Sequence, residues 1–269
     1  MAEERTSTAL PIRLPYSTAQ MDNFYSALAG GIVKATGIMN YVQHLFIAER
    51  CPEGASVLDV CCGRGLQVPL LKRYAPGISR YVGVDISQPN LDEAQAVILY
   101  GDGEPPSFPC EFIRGDVCLM ASFLQQQQFD VIIYTSALEH LKREAGVASL
   151  EQVAQVLTES GTLYLSTPRT EGPVPRQLQH PRAHIYEWGR EELEQVLATL
   201  HLKITACYGL LPPPDVILAD AITRRFGEGA VTWFHELQQA VSQAFLAPVL
   251  ASSFPEVATE LLYVCQKGM

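Results

Sequence analysis

The residues whose types and spacing most suggest chemistry lie in one short stretch, SVLDVCCGRGLQV (56–68). Two adjacent cysteines precede a Gly-x-Gly pair there. Cys61 and Cys62 raise three alternatives: a redox pair, a metal site, or part of a loop that holds a cofactor. The seven cysteines of the chain include no Cys-x-x-Cys spacing, and neighbouring cysteines seldom bridge each other. A zinc site needs about four converging ligands, and no Cys/His pair here has finger-like spacing. We therefore expect reduced thiols and no metal ion.

Gly63 and Gly65 follow an apolar run and precede a helical pattern, so the predicted order is strand, tight loop, helix. The start of a helix offers unpaired N–H groups and a partial positive charge to an anionic group, and glycine allows the sharp turn before it. Asp85 ends the next predicted strand, where a carboxylate can accept hydrogen bonds from ribose hydroxyls. A dinucleotide fingerprint is not satisfied, because Val68 stands at the position of its third glycine.

Asp59 completes the pattern Asp-x-small-x-Gly-x-Gly, which resembles motif I of the class I S-adenosylmethionine-dependent methyltransferases, small-molecule type. The resemblance covers roughly residues 50–208 and the last predicted strand. Cys61 departs from it, since the family usually has its first glycine there. We expect a tight turn to accept this cysteine if its φ is not positive. Four further segments continue the resemblance in order: FIRGDV (112–117), FDVIIYTSALEHL (129–141), LTESGTLYLSTP (157–168) and HIYEWGREELEQVL (184–197).

The resemblance implies S-adenosyl-L-methionine as the cofactor and assigns residues to its binding. Asp85 would hold the ribose diol, the glycine loop would lie against the amino-acid tail, and Asp116 would face the adenine amino group. The alternative for Asp116 is a plain helix N-cap. The full set implied to bind the cofactor is Tyr25, Asp59, Cys61, Gly63, Gly65, Asp85, Ile86, Asp116, Val117 and Tyr134.

His140 is the predicted catalytic base, and His184 is the second candidate. YTSALEHL leaves the fourth predicted strand at about Tyr134, so the following residues emerge at the end where open α/β sheets bind ligands. Ser136 and His140 are one helical turn apart and would face the cleft together if a helix starts there. Histidine titrates near neutrality and suits a proton acceptor. In the alternative, Glu139 and His140 simply begin a solvated helix.

Apolar runs bounded by turn residues alternate with helical patterns, which predicts a Rossmann-like α/β fold. We expect a seven-stranded, mostly parallel sheet whose last strand is antiparallel. The predicted strands are 56–61, 80–85, 110–114, 129–134, 161–167, 202–208 and 260–266, and the predicted helices are 65–74, 88–100, 118–126, 138–158 with a break, and 190–200.

Two segments stand outside this alternation. Residues 1–50 are predicted to form a helical lid segment, within which 16–31 would cover the acceptor. Residues 212–255 are predicted to form a cap of two helices, inserted into a core of 51–211 and 256–269. One face of the second cap helix would carry Phe234, Leu237, Val241, Ala244 and Phe245.

The composition narrows the class of partner. The net charge is −10, which argues against a nucleic-acid backbone or an anionic membrane as the main partner. No secretory h-region and no membrane-spanning apolar run are present, so we expect a cytoplasmic protein. The predicted function is methyl transfer to an oxygen or nitrogen of a small molecule. The alternatives are an NAD(P)-dependent oxidoreductase and a catalytically silent, cofactor-binding partner protein.

Overall fold

A computed structural model describes residues 35–100, 105–125, 127–169 and 184–268. Its centre is a seven-stranded sheet with the spatial order β3-β2-β1-β4-β5-β7-β6. β1 to β5 are parallel, and β7 lies antiparallel between β5 and β6. The predicted sheet, including its antiparallel last strand, is confirmed. The strands are β1 Ser56–Val60, β2 Arg80–Asp85, β3 Cys110–Arg114, β4 Phe129–Thr135, β5 Leu157–Pro168, β6 Leu202–Leu211 and β7 Glu260–Lys267.

Helices connect the strands and cover both faces of the sheet. They are α1 Ala35–Ala48, α2 Gln67–Tyr74, α3 Gln88–Ile98, α4 Met120–Phe123, α5 Arg143–Val156, α6 Arg190–Thr199, α7 Asp215–Phe226, α8 Gly229–Ala240 and α9 Gln243–Ser253. Short 3-10 turns occur at Val117–Leu119 and Leu138–His140. None of the described helices is both long enough and apolar enough to cross a membrane.

Successive residues of each strand point to opposite faces, so the core is divided by the sheet. Leu58 and Val60 of β1 pack on one face, in a cluster that includes Leu150 and Val153 of α5. Val57 packs on the other face, in a cluster that includes residues of α1, α2 and α3. Every residue of β1 is buried, which is typical of a parallel strand that is covered on both sides.

The cap differs from the prediction. Residues 212–255 form three helices, α7, α8 and α9, where the sequence predicts two. α8 ends at Ala240 and α9 begins at Gln243, so the apolar periodicity that appears continuous crosses a helix break. Phe234 is buried in a cluster of the cap's own residues, whereas Phe245, on the far side of the break, is exposed.

Neighbouring parallel strands place their carboxyl ends at one edge of the sheet. β1 pairs with both β2 and β4, so the chain reverses its winding direction between β1 and β4. Open α/β sheets bind ligands in the crevice outside such a switch point. We call the carboxyl ends of β1, β2 and β3 the donor half of this edge. The carboxyl ends of β4 and β5, with the start of β7, are the acceptor half.

Candidate active site

The loop after β1 turns sharply through alternating residues with positive φ. Cys61 has a φ of +58°, Gly63 of +54° and Gly65 of +71°. The Cys62 N–H donates to the carbonyl of Val84 at 3.0 Å, and the Gly65 N–H donates to the carbonyl of Cys62 at 2.9 Å. The condition under which the turn would accept Cys61 without strain is therefore not met: a non-glycine residue adopts the left-handed conformation here, at a cost of about 1–2 kcal/mol.

Gly65 is fixed by close packing as well as by its φ. A Cβ at this position would lie 2.6 Å from Ile98 Cδ1 and 3.0 Å from Phe112 Cε1. A Cβ at Gly63 would meet no atom within 4 Å. The two glycines of the motif thus meet different constraints. Gly63 is required by its positive φ alone, whereas Gly65 is required both by its positive φ and by the lack of space for a Cβ.

The two thiols of the loop are not arranged for chemistry. Cys62 is buried, and Cys61 packs at the border of the core cluster. Burial raises the pKa of both thiols above the usual range, and the nearby carboxylates of Asp59 and Asp85 raise it further. Reactive thiols have depressed pKa values, so Cys61 and Cys62 are structural residues of the loop.

Asp85 joins the end of β2 to this loop. Its Oδ2 accepts the Gly63 N–H at 2.9 Å, and its Oδ1 accepts the Ser87 N–H at 2.8 Å. An ionised carboxylate has about four acceptor positions, so each oxygen retains acceptor capacity. The next residue, Ile86, is 67% exposed at the same edge, which is unusual for a large apolar side chain that directly follows a buried strand.

Asp59 lies within β1, behind the loop. It is buried, and its Oδ2 accepts the Tyr81 hydroxyl at 2.7 Å. Burial raises the pKa of Asp59 to about 7; the hydrogen bond from Tyr81 opposes this shift and the charge of Asp85 adds to it. In this position the carboxyl group supports the strand pair β1–β2 that carries the loop and Asp85.

Of the other predicted cofactor residues, one is exposed, two are buried and one lies outside the described part of the chain. Asp116 is exposed, and its Oδ1 accepts the Cys118 N–H at 2.9 Å, so it does cap the 3-10 turn and still faces outward. Val117 is buried next to it. Tyr134 is a correction: its side chain is fully buried and its hydroxyl pairs with Ser149 Oγ at 3.0 Å, so it contributes no side-chain surface to the edge. Tyr25 lies outside the described residues.

Ser136 opens the acceptor half directly after β4. Its φ is +48°, and its N–H reaches both the carbonyl of Ser166, at 3.0 Å, and Ser166 Oγ, at 3.2 Å. Its hydroxyl donates to Glu260 Oε1 at 3.3 Å. Ser166 Oγ donates in turn to Gln43 Oε1 at 2.8 Å. α1, β4, β5 and β7 therefore each supply one member of a buried polar network.

Glu139, His140 and His184 come together beside this network. His140 ends the 3-10 turn that follows β4, and the centre of its ring lies 5.3 Å from that of His184. The carbonyl of Glu139 accepts the N–H groups of Ile185, at 2.7 Å, and Tyr186, at 3.2 Å. These two backbone bonds hold the segment that carries His184 against the turn.

The prediction that Ser136 and His140 are one helical turn apart is wrong. A left-handed residue and a 3-10 turn stand there, and α5 begins only at Arg143. The alternative in which Glu139 is solvated is also wrong, because Glu139 is 2% exposed and its Oε2 accepts the Thr167 hydroxyl at 3.0 Å. His140 is exposed at the edge.

Two carboxyl groups of the acceptor half have shifted pKa values. Burial raises the pKa of Glu139 to about 7, and the charge of Glu260 adds to this shift. Burial likewise raises the pKa of Glu260 to about 7, with a contribution from Glu187. Sequence reasoning missed Gln43, Ser166 and Glu260. The only local signal was a polar residue at the end of a strand or within an apolar helix.

Comparisons with known proteins agree with this architecture. A protein-family model described as a methyltransferase domain matches residues 57–161. The carboxy-S-adenosyl-L-methionine synthase of Haemophilus ducreyi is 28% identical over 123 residues, which are 45% of this chain and 47% of that protein. The mRNA cap guanine-N(7) methyltransferase of Saccharomyces cerevisiae is 28% identical over 122 residues, 36% of this chain and 27% of that protein. The chain thus spans less than half the length of these curated relatives.

A solved structure with the same fold covers more of the chain. The 1,6-didemethyltoxoflavin-N1-methyltransferase of Burkholderia thailandensis, with bound 1,6-didemethyltoxoflavin and S-adenosylhomocysteine, aligns with 94% of this chain and 89% of its own. The TM-score is 0.54 and the sequence identity is 16%. This likeness extends the agreement in fold beyond the segment that the family model matches.

Proposed function

We propose that this chain, whose residues 57–161 match a methyltransferase domain, transfers the methyl group of S-adenosylmethionine to an oxygen or nitrogen of a small molecule. The match supports the methyltransferase family that motif I indicates for this segment. One observation carries the proposal for the whole chain: Asp85 ties the glycine loop to the switch point, beside a second cluster of buried polar groups.

In the donor half, each implied residue has a specific role. The open space at Gly63 suits the carboxylate end of the methionine moiety, and Asp85 retains acceptor positions for the two ribose hydroxyls. The exposed Ile86 side chain offers an apolar surface for the adenine ring. Asp116, exposed after β3, would accept the adenine amino group while it caps its turn.

In the acceptor half, His140 and His184 are the proposed catalytic residues. The His140 ring is exposed in the turn that follows β4, the strand that borders the switch point, and the half-buried His184 ring lies 5.3 Å from it. An imidazole here can activate the acceptor in two ways: it can take the proton of a hydroxyl or ammonium group directly, or it can bind an ion that lowers the pKa of the acceptor. The protein also contributes alignment, because it holds the sulfonium, the methyl group and the nucleophile in line.

The cap α7–α9 and residues 16–31, which lie outside the described residues, are the proposed cover of the acceptor. α9 packs on β6 and α1, so the cap is anchored close to the helix that supplies Gln43 to the acceptor half. A cover of this kind excludes water and selects the acceptor by its shape. Hydrogen exchange with and without S-adenosylhomocysteine tests it, and equal exchange of both segments in the two states would contradict it.

A small acceptor is favoured over a nucleic acid by the charges at the site. Three carboxylates, Glu139, Glu187 and Glu260, lie at this site; the charge of Glu260 raises the pKa of Glu139, and the charge of Glu187 raises that of Glu260. A phosphate backbone is bound by clustered lysines and arginines, and the net charge of the chain is −10. The activity on mRNA caps that is named for one relative is therefore not proposed for this chain.

Thermal shifts with S-adenosylhomocysteine, NAD and NADP separate the proposal from an oxidoreductase. S-adenosylhomocysteine should raise the melting temperature, while NAD and NADP should leave it unchanged, because only a ligand that binds the folded state stabilises it. The reverse result would indicate an oxidoreductase. A methylation screen against a substrate library, with labelled S-adenosylmethionine, then separates an enzyme from a silent cofactor-binding protein. The silent protein would be stabilised by S-adenosylhomocysteine but would methylate no substrate.

A further inference from the structure

Three side chains at the acceptor half present metal-binding atoms to one another. One carboxylate oxygen of Glu139 and one ring nitrogen each of His140 and His184 all lie within 4.8 Å of one another. Ligands that bind a zinc-like ion at about 2.0–2.2 Å are themselves separated by about 3–4 Å, so small side-chain rotations would complete the site. Glu139 and His140 are adjacent in sequence, whereas His184 arrives through the backbone bonds of Ile185 and Tyr186.

Two of these three side chains are supported in the way that metal ligands are. His184 Nδ1 is hydrogen-bonded to Glu187 Oε1, which leaves Nε2 as the ligand atom. A histidine whose second nitrogen is held by a carboxylate is the usual arrangement around bound zinc. Glu139 Oε2 accepts the Thr167 hydroxyl, which fixes the orientation of the carboxylate and leaves Oε1 as a ligand atom.

The carboxylates near the three ligand atoms also favour a bound cation. Glu139 and Glu260 are buried, and Glu187, which is hydrogen-bonded to His184, is half-buried. Burying several carboxylates together is costly unless a positive charge compensates them. A divalent ion at the centre of the three ligand atoms would compensate all of them at once.

We propose that Glu139, His140 and His184 bind one divalent transition-metal ion, of the class that two imidazoles and one carboxylate prefer. Zn²⁺ is the representative of that class, and Mg²⁺, which prefers oxygen ligands, is disfavoured. Three protein ligands leave a coordination position open. This proposal revises the expectation from the sequence that no metal binds. That expectation rested on Cys/His spacing, which does not show that His184 packs beside the turn Leu138–His140.

The open position defines the acceptor, and this step rests on the proposed function. A hydroxyl oxygen bound there loses its proton to water more readily, since the ion lowers its pKa. The oxygen then forms its bond to the methyl carbon as the sulfur–methyl bond breaks, and S-adenosylhomocysteine leaves. The acceptor class is therefore a small molecule that can bind a metal ion through the hydroxyl to be methylated.

Direct metal binding tests the site without any need for the substrate. We would strip the full chain with a chelator, remove the chelator and titrate Zn²⁺ by calorimetry. The native chain should bind one equivalent at this site, and His140→Ala and His184→Ala should each weaken that binding at least about tenfold. Glu187→Gln should weaken it about tenfold while all three ligands remain. His235→Ala, an exposed histidine of the cap, is the matched control and should change nothing.

Co²⁺ separates this site from the seven thiols of the chain. Bound by nitrogen and oxygen, it gives visible ligand-field bands without thiolate charge-transfer absorption. Thiolate bands, no binding, or equal affinity in the native chain and both histidine variants would overturn the proposal. His140 is exposed, so its truncation should leave the fold intact, and circular dichroism checks this. S-adenosylhomocysteine binding by the same stripped protein shows separately whether the proposed function stands.

Discussion

The donor half and the acceptor half of the carboxyl edge are built by different means. The donor half consists of backbone turns held by a neighbouring strand: Gly63 and Gly65 lie in the loop between β1 and α2, and Asp85 ends β2, which pairs with β1. The acceptor half consists of side chains from far apart in the chain, such as Gln43, Ser136 and Glu260, which meet only in the folded protein. Under the proposed function, a cofactor common to many proteins would bind at a local motif, and an individual acceptor would bind at a tertiary assembly.

This difference predicts separable effects of mutation. Substitutions in the donor half should alter cofactor affinity or loop stability. Substitutions of exposed side chains in the acceptor half should alter turnover and leave cofactor affinity unchanged. Each variant below either separates the two halves or shows that they act as one unit.

The largest expected effect is on turnover in the acceptor half. His140→Ala removes a group that activates the acceptor, whether as a base or as an ion ligand, and should reduce turnover at least about a hundredfold. The affinity for S-adenosylhomocysteine should remain that of the native chain. Steady-state kinetics on an identified acceptor, together with calorimetry, measure both quantities.

His235→Ala is the control for this prediction and should retain native turnover. A reduction of less than about fivefold in His140→Ala would exclude His140 from the chemistry. A large reduction in His184→Ala alone would transfer the role to His184. A parallel loss of cofactor affinity in His140→Ala would show that the two halves are not independent.

The next effect concerns the stability of the donor loop. Gly65→Ala introduces both a positive-φ alanine and a Cβ that overlaps Ile98, and should lower the free energy of unfolding by about 2–4 kcal/mol. Gly63→Ala, where only φ matters, should lower it by about 1–2 kcal/mol. Urea denaturation measures both, and equal losses would refute the packing role of Gly65.

The pH dependence of stability tests the buried carboxyl group of the donor half. The pKa of Asp59 in the folded chain, about 7, lies above its value of about 4 in the unfolded chain, so the folded state holds the proton more tightly. The stabilisation is therefore complete below about pH 4 and is lost as the pH rises towards 7, by about 1.4 kcal/mol per pH unit at most.

Asp59→Asn is the matched variant, because it can still accept the Tyr81 hydrogen bond and does not titrate. The unfolding free energy of the native chain minus that of the variant should fall between pH 4 and 7 and then level off. A difference that stays constant across this range would show that the pKa of Asp59 is not raised.

The smallest expected effect is at Cys61. Cys61→Gly removes the penalty of a left-handed non-glycine residue but also removes apolar contact and loosens the unfolded chain, so the net gain should be about 0.5–1 kcal/mol. Cys62→Gly is the control, because Cys62 is buried and its φ is not positive, and it should destabilise. A loss of stability in Cys61→Gly would mean that the cysteine contributes more through packing than its φ costs.

The sequence predicted the sheet and the order of strand, glycine loop and helix well because both depend on local patterns. The alternation of apolar runs and helical segments can be read from short stretches of sequence. The motif from Asp59 to Gly65 is likewise a single short stretch of consecutive residues. The cap was predicted less well, since the apolar spacing from Phe234 to Phe245 continues through the break after Ala240. Periodicity alone does not reveal where a helix ends.

The acceptor half was predicted only in part for a related reason. His140 and His184 were chosen as two separate candidates, and the structure brings their rings together through backbone bonds to Glu139. Tyr134 was placed at the edge because it ends a strand pattern, but strand alternation turns its side chain into the core beside Ser149. Glu260 begins β7, which runs antiparallel to β5 and β6, so it lies at the edge where those two strands end.

The most direct measurement of the central claim is the binding of S-adenosylhomocysteine at Asp85. Calorimetry on the native chain should show one bound equivalent. Asp85→Ala should weaken that binding more than tenfold, because two charge-assisted hydrogen bonds to ribose, each worth about 1.5–3 kcal/mol, are lost. Asp92→Ala, on α3 and outside the loop, should bind as the native chain does. An unchanged dissociation constant in Asp85→Ala would contradict the account of the donor half.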